Sequence, residues 1–248
     1  IRENARGAQR QRAKVSEIVQ PQLVVALWTL VGIAAGLGSF RLVNLLLARY
    51  GELSPLAEGP KVLLIRPWAW GCGAAGALLF CAVALGRSGA VLSLLAASCY
   101  LVILGIVFLI DLRAHLILDV VTLPALLLAF LMTILQSFVE ANHHWQRSVA
   151  GAVVGLVVFG LLYGLGWLIT RQEAMGMGDV KLATLVGMMV DIAHVLPAFL
   201  LAIFGGGVVS MLVLLLRRRS GGSFIPYGVF IAAGAAFFIL VPEGIRSL

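Results

Sequence analysis

AVLSLLAASCYLVILGIVFLI, residues 90–110, runs for 21 residues without a charged side chain. A helix needs ~20 such residues to cross the hydrocarbon core of a bilayer. Read outward from this stretch, the pattern recurs along the chain. It predicts spans near 22–40, 68–86, 90–110, 120–139, 149–169, 180–193, 195–216 and 225–241. Hydrophobic residues make up 61% of the chain, charged residues only 12%, and the mean hydropathy is +1.06. A soluble fold of this length needs a far more polar surface. Lipid admits only helices and closed barrels, and a barrel alternates polarity in short segments that this sequence lacks. The expected fold class is therefore all-α, a polytopic membrane helical bundle of about eight transmembrane helices.

Outside the apolar runs little remains. Residues 1–20 are polar and basic, without the apolar centre of a signal peptide, and read as an N-terminal arm or surface helix. Residues 21–248 form one membrane-embedded domain. The net charge of +7 fits positive flanks of membrane spans, and the basic stretches carry no interleaved aromatics on which bases could stack. The expected partner is the lipid bilayer, with no nucleic acid. Cys72, Cys81 and Cys99 lie inside apolar runs with no CxxC pair, so they read as small packing residues, and no metal site is expected. His143 and His144, in EANHHWQR, read as polar loop residues between spans.

The four aspartates stand out because charge inside a bilayer costs about 2.5–3.5 kcal/mol at a helix centre. Asp111 closes the run quoted above, Asp119 opens the next, Asp179 opens the sixth, and Asp191 sits at a turn in MMVDIAHV. Taken alone, Asp119 and Asp191 read as ordinary helix-end acids that meet free N–H groups. Asp179 has a more unusual setting, RQEAMGMGDVKLATLVG (171–187), where glycines on either side of Met177 would let a substrate backbone approach the carboxylate. Two spans separate Asp111 from Asp179, so both fall on the same membrane face whatever the orientation. Two carboxylates held close cannot both ionise easily and share a proton. The ionised member can take a proton from water while the protonated one polarises a peptide carbonyl.

The motifs around these acids resemble those of type IV prepilin leader peptidases, a family of GxGD membrane aspartyl proteases. GMGDVKL (176–182) is similar to the family's GxGD motif. IDLRAHLILDVVTLP (110–124) resembles its stretch with Asp-x-Arg, a second acid and Thr-x-Pro, and IPYGVFIAAG (225–234) its Pro-Phe/Tyr-Gly opening of the last span. The resemblance implies that Asp111 and Asp179 are the catalytic pair and Gly176 and Gly178 the motif glycines. It makes Asp119 auxiliary, and Lys181 and Arg113 cations that tune or orient Asp179 and Asp111. It implies an endopeptidase that cuts after Gly, removing the basic leader from prepilin or pseudopilin helices. The site would lie at the cytoplasmic face of a bacterial inner membrane, and 21–248 would be a peptidase domain.

Proteolysis by such a pair needs no cofactor. Many bacterial members also methylate the new N-terminus with S-adenosylmethionine and carry a four-cysteine zinc segment between their first two spans. Here the 41–67 loop has no cysteine and Leu118 replaces the usual Pro. S-adenosylmethionine is thus expected only if methylation is retained. Ten basic residues fall on the aspartate face and eight on the other, too small a bias to fix orientation. Two other readings stay open: a cation-coupled transporter using buried aspartates, which predicts acids near mid-membrane, and another kind of GxGD intramembrane protease, which would carry Tyr where Ile110 precedes Asp111. The sequence leaves the oligomeric state undetermined.

Overall fold

The computed structural model describes residues 2–50, 66–87, 91–139, 144–171, 175–216 and 226–241. Among these residues it is all helical: α1 (Arg2–Tyr50), α2 (Arg66–Gly86), α3 (Val91–Ala114), α4 (Asp119–Val139), α5 (His144–Thr170), α6 (Met177–Leu216) and α7 (Tyr227–Leu240). Six are long and apolar enough to cross a membrane, and α7, with 14 residues, is shorter. The chain is thus a multi-pass bundle, with seven described helices where about eight spans were expected, and the difference lies in α6. Residues 180–193 and 195–216, expected as separate spans, are two helical halves of α6 joined directly at Asp191 (φ 68°, ψ 174°), with no loop between them.

That break reverses the chain. Gly151 of α5 lies against Gly187 and Asp191 of α6. Eight residues further along α5, Phe159 meets Phe199, eight residues past Asp191, with ring centroids 4.8 Å apart. A straight α6 would carry Phe199 away from Phe159, so residues 192–216 must run back alongside 177–190. The returning half then lies antiparallel to α7, pairing His194 with Phe238 and Gly206 with Phe230. Asp191 sits in a backbone region that is nearly glycine-only and costs about 1–3 kcal/mol. Its carboxylate offsets part of this by accepting the Ala193 N–H at 2.7 Å, which caps the returning half. The same carboxylate lies 3.2 Å from His194 Nδ1 and 4.0 Å from Arg147.

The first span differs from expectation as well. The helix does not end at 40 but continues to Tyr50, so residues 41–50 are not loop. RLVNLLLARY carries an apolar stripe, and its Val43 and Leu47 are buried with Ile106, Ile110 and Ala114 of α3. Residues 2–20 continue the same helix. Lys61, His143 and Arg217–Arg219 lie outside the described residues.

Close backbone approach holds the helix pairs together. Gly32 and Gly36 of α1 face Gly76 and Cys72 of α2, and Gly155 of α5 faces Ala183 of α6. Helices in lipid gain little from hydrophobic burial and associate through such small-residue contacts. The end of the bundle far from Asp111 is tied by Arg87, which donates to the carbonyls of Ser93 (3.1 Å) and Ile239 (3.0 Å). Trp28 Nε1 donates to Ser98 Oγ at 2.8 Å and fixes α1 on α3.

The fold-back makes a prediction at Asp191. Asp191→Ala keeps the unfavourable backbone and loses the cap, so it should cost about 1–2 kcal/mol. Asp191→Gly loses the cap but relieves the backbone, and should unfold close to wild type. Thermal unfolding in one detergent compares them, and equal losses would contradict the strain argument.

Candidate active site

The end of α3 and the starts of α6 and α7 meet through the connector that leads into α4. α3 stops because His115 takes a left-handed conformation (φ 52°), its N–H bonding back to Asp111 O at 2.9 Å. Histidine here does what glycine or asparagine usually does at a helix end. A connector of four residues, 115–118, follows before α4 starts, where the Val121 and Thr122 N–H groups bond to Leu118 O at 3.0 Å. α5 ends in the same way, with Arg171 at φ 55° and its N–H on Trp167 O.

Asp111 sits on the last turn of α3 and is almost fully buried, at 4% exposure. A buried carboxylate requires donors, and these come from α7. Val229 N–H donates to Asp111 Oδ2 at 2.8 Å, and Gly228 N–H also bonds to the same carboxylate. α7 has Pro226 at its N-cap position and no side-chain cap of its own. Its first free N–H groups are therefore satisfied by an acid from another helix, at the end where the helix dipole favours negative charge. Gly228 makes this possible: a Cβ there would lie 2.8 Å from Asp111 Oδ2.

Asp179, half-buried, is on the first turn of α6, where its N–H bonds to Gly176 O at 3.1 Å. It lies within electrostatic reach of the Asp111 carboxylate. Ile117, from the connector, lies between the two halves of the site. A Cβ at Gly178 would fall 2.8 Å from Ile117 Cβ, and one at Gly228 3.2 Å from Ile117 Cδ1. The space at Gly178, expected to admit a substrate backbone, is thus filled by the protein's own Ile117. Gly176 is open: a Cβ there would meet only ordinary contacts, the nearest being Asp179 Oδ2 at 3.8 Å.

The other predicted residues surround the pair without touching it in the expected ways. Lys181, expected to orient Asp179, instead binds Asp119, with Nζ 2.7 and 2.6 Å from its two carboxylate oxygens. This contact joins the N-termini of α4 and α6. Arg113, expected beside Asp111, stacks its guanidinium 4.9 Å from the Trp68 ring centroid and so ties α3 to α2. His115, which closes α3, is also an electrostatic neighbour of Asp111. Gly228, Val229 and Ile117 were missed as site residues. IPYGVFIAAG and IDLRAHLILD held the signal, since each carries an unusual residue beside a helix start or an acid.

Two substitutions test this geometry. Gly228→Ala should cost about 1–3 kcal/mol in thermal unfolding through overpacking against Asp111. In an Asp111→Ala background the cost should fall well below that, and an additive double mutant would show that the two residues are not coupled. Lys181→Met should lower stability by less than about 1 kcal/mol, because the ion pair is exposed and screened.

Comparisons with known proteins bear on the same region. Residues 98–211, just under half of the chain, match the model of the type IV leader peptidase family, and that segment contains both Asp111 and Asp179. Among curated proteins, the chain is similar to the prepilin leader peptidase/N-methyltransferase of Dickeya chrysanthemi, with 37% identity over 78 residues. The similarity covers 32% of this chain and 26% of that protein, so the chain matches about a quarter of its relative's length. No solved structure matches the chain.

Proposed function

We propose, with the type IV leader peptidase segment at 98–211 as the premise, that this protein is a membrane aspartyl endopeptidase. It removes the short basic leader from prepilin or pseudopilin helices, cutting after Gly at the cytoplasmic face of a bacterial inner membrane. The observation that carries the reading is the convergence of Asp111 and Asp179, from separate helices, at one end of the bundle and within electrostatic reach. Transporter acids are expected near mid-membrane in broken helices. The α6 break lies at Asp191, a whole half-helix away from Asp179, which weighs against that alternative.

The proposed reaction needs only the pair and one water. The carboxylates share one proton. The ionised member takes a proton from water as the water oxygen bonds to the peptide carbon, and the protonated member donates to the carbonyl oxygen. The tetrahedral species collapses by breaking the C–N bond: the leaving amine takes up a proton from the pair, and a hydroxyl of the tetrahedral carbon returns one to it as the carbonyl re-forms, which restores the shared proton. Asp111, with backbone N–H donors fixed on Oδ2, is the more rigidly held member. Gly176 leaves Asp179 accessible from the α6 start, the side from which a substrate chain reaches it. Asp119 and Lys181 brace α4 against α6, and Arg113 braces α3 against α2, so all three support the pair indirectly.

A basic leader is drawn to the anionic inner leaflet, and the cut would fall where leader meets apolar helix. An active centre built from helix ends suits such a substrate. Proteolysis requires no cofactor. The sequence offers no cysteine between residues 41 and 67, so it supplies no zinc ligand set of the four-cysteine type there, and methylation with S-adenosylmethionine is not part of this proposal.

The test is cleavage of a peptide with a basic leader ending in Gly-Phe, followed by an apolar helix, by purified protein in detergent. Wild type should cut after Gly, and Asp111→Asn and Asp179→Asn should each lose at least about 10³-fold in rate. Near wild-type cleavage by either folded variant would remove that aspartate from the pair. Failure of wild type on several such peptides would overturn the protease reading.

A further inference from the structure

We propose that Ile117 is a positioning residue, the spacer that sets the separation of the Asp111–Asp179 pair. A shared proton and a single attacking water both depend on that separation, and a misplacement of about 1 Å can cost about 10²-fold in rate. Asp111 is held by the start of α7, and Asp179 is carried on the start of α6. What lies between these two helix starts is the Ile117 side chain.

The contacts divide by atom. Cβ and Cγ2 of Ile117 pack on Gly178, the residue before Asp179, where an added Cβ would fall 2.8 and 3.5 Å from them. Cδ1 packs on Gly228, which is itself against Asp111. Both neighbours lack a side chain, so the isoleucine meets backbone that cannot yield by changing rotamer. The branch at Cβ restricts χ1, so the side chain is itself stiff. It also stands on a connector only four residues long, between the left-handed His115 and the start of α4. Ile117 packs against the main core cluster and is only partly buried. A stiff side chain on a short tether, between two glycines that lead to the two acids, has the properties of a spacer.

The two contacts can be removed separately. Ile117→Val keeps the branch against Gly178 and loses Cδ1 at Gly228. Ile117→Leu keeps a δ carbon and loses Cγ2 at Gly178. Ile117→Ala loses both. All three are made in the full chain and purified in detergent, with thermal unfolding as a check on folding. The first readout is independent of substrate: the carboxyl infrared bands, followed through a pH titration and assigned with Asp111→Asn and Asp179→Asn. The neighbouring titratable or charged side chains, His115 and Arg113 on the Asp111 side and the Asp119–Lys181 pair by α6, keep their identity in every variant. Two coupled acids titrate in two steps whose separation reports their spacing, and Ile117→Ala should change that separation by about half a pH unit or more. The second readout is cleavage of the leader peptide, which rests on the proposed protease function. Ile117→Ala should lower kcat about tenfold or more with KM within about twofold, and Val and Leu should fall between it and wild type.

If folded Ile117 variants keep both the wild-type titration and the wild-type kcat, the spacer role is wrong. A changed KM with unchanged kcat and titration would also overturn it, making Ile117 a substrate contact. If the titration changes but wild type cleaves no leader peptide, the spacer stands and the protease reading falls. Should Ile117→Ala not fold, the Val and Leu variants decide by the same two readouts.

Discussion

The carboxylate of Asp111 holds this architecture together at the end that matters. It is an acid on the last turn of one membrane helix, and it accepts the first free N–H groups of another. α7 has only 14 residues and no cap of its own, so its start depends on a partner of the right charge and position. The Asp111 carboxylate in turn needs donors because it is shut away from water. Each resolves the other's unsatisfied groups, and removal of either leaves a cost of about 1–3 kcal/mol on the survivor. The site is therefore built into the packing of the bundle and is not an addition to its surface.

Around that contact, side-chain volume is spent sparingly. Gly178 and Gly228 bring the starts of α6 and α7 onto the α3–α4 connector, and Gly151 and Gly187 bring α5 onto α6. In lipid this is the economical way to associate helices, because close backbones gain dispersion contacts that apolar burial cannot supply. The charged residues near the site serve the scaffold: Lys181 with Asp119 between α4 and α6, and Arg113 on Trp68 between α3 and α2. Lys181 is thereby committed to Asp119 and not to Asp179.

Much of this was legible from residue order alone. Long uncharged runs give membrane helices because a bilayer imposes a minimum length and forbids lone charges. Counting the spans between Asp111 and Asp179 puts them on one face by parity. What sequence could not supply was the identity of tertiary neighbours. Lys181 stands two residues from Asp179, yet on a helix such residues point apart, and its ammonium reaches Asp119 from another helix. Gly178 read as room for a substrate, but only the structure shows Ile117 in that room. The end of the first span was misjudged because Arg41 and Arg49 bracket a stretch whose apolar stripe packs on α3. The number of spans depended on Asp191, whose single non-helical residue turns the chain without leaving the gap of a loop.

The short first half of α6 also has a consequence for the lipid. Residues 177–190 rise by only about 20 Å, and α7 is equally short, whereas the hydrocarbon layer is ~30 Å thick. Both of these helices begin beside the aspartates. Mismatch on this scale is met by thinning of the surrounding bilayer or by recession of helix ends beneath the headgroups. Either response would bring polar headgroups and water toward the helix starts that carry the site. A mismatch of this kind makes the thickness of the host bilayer a variable that acts on the surroundings of the two acids.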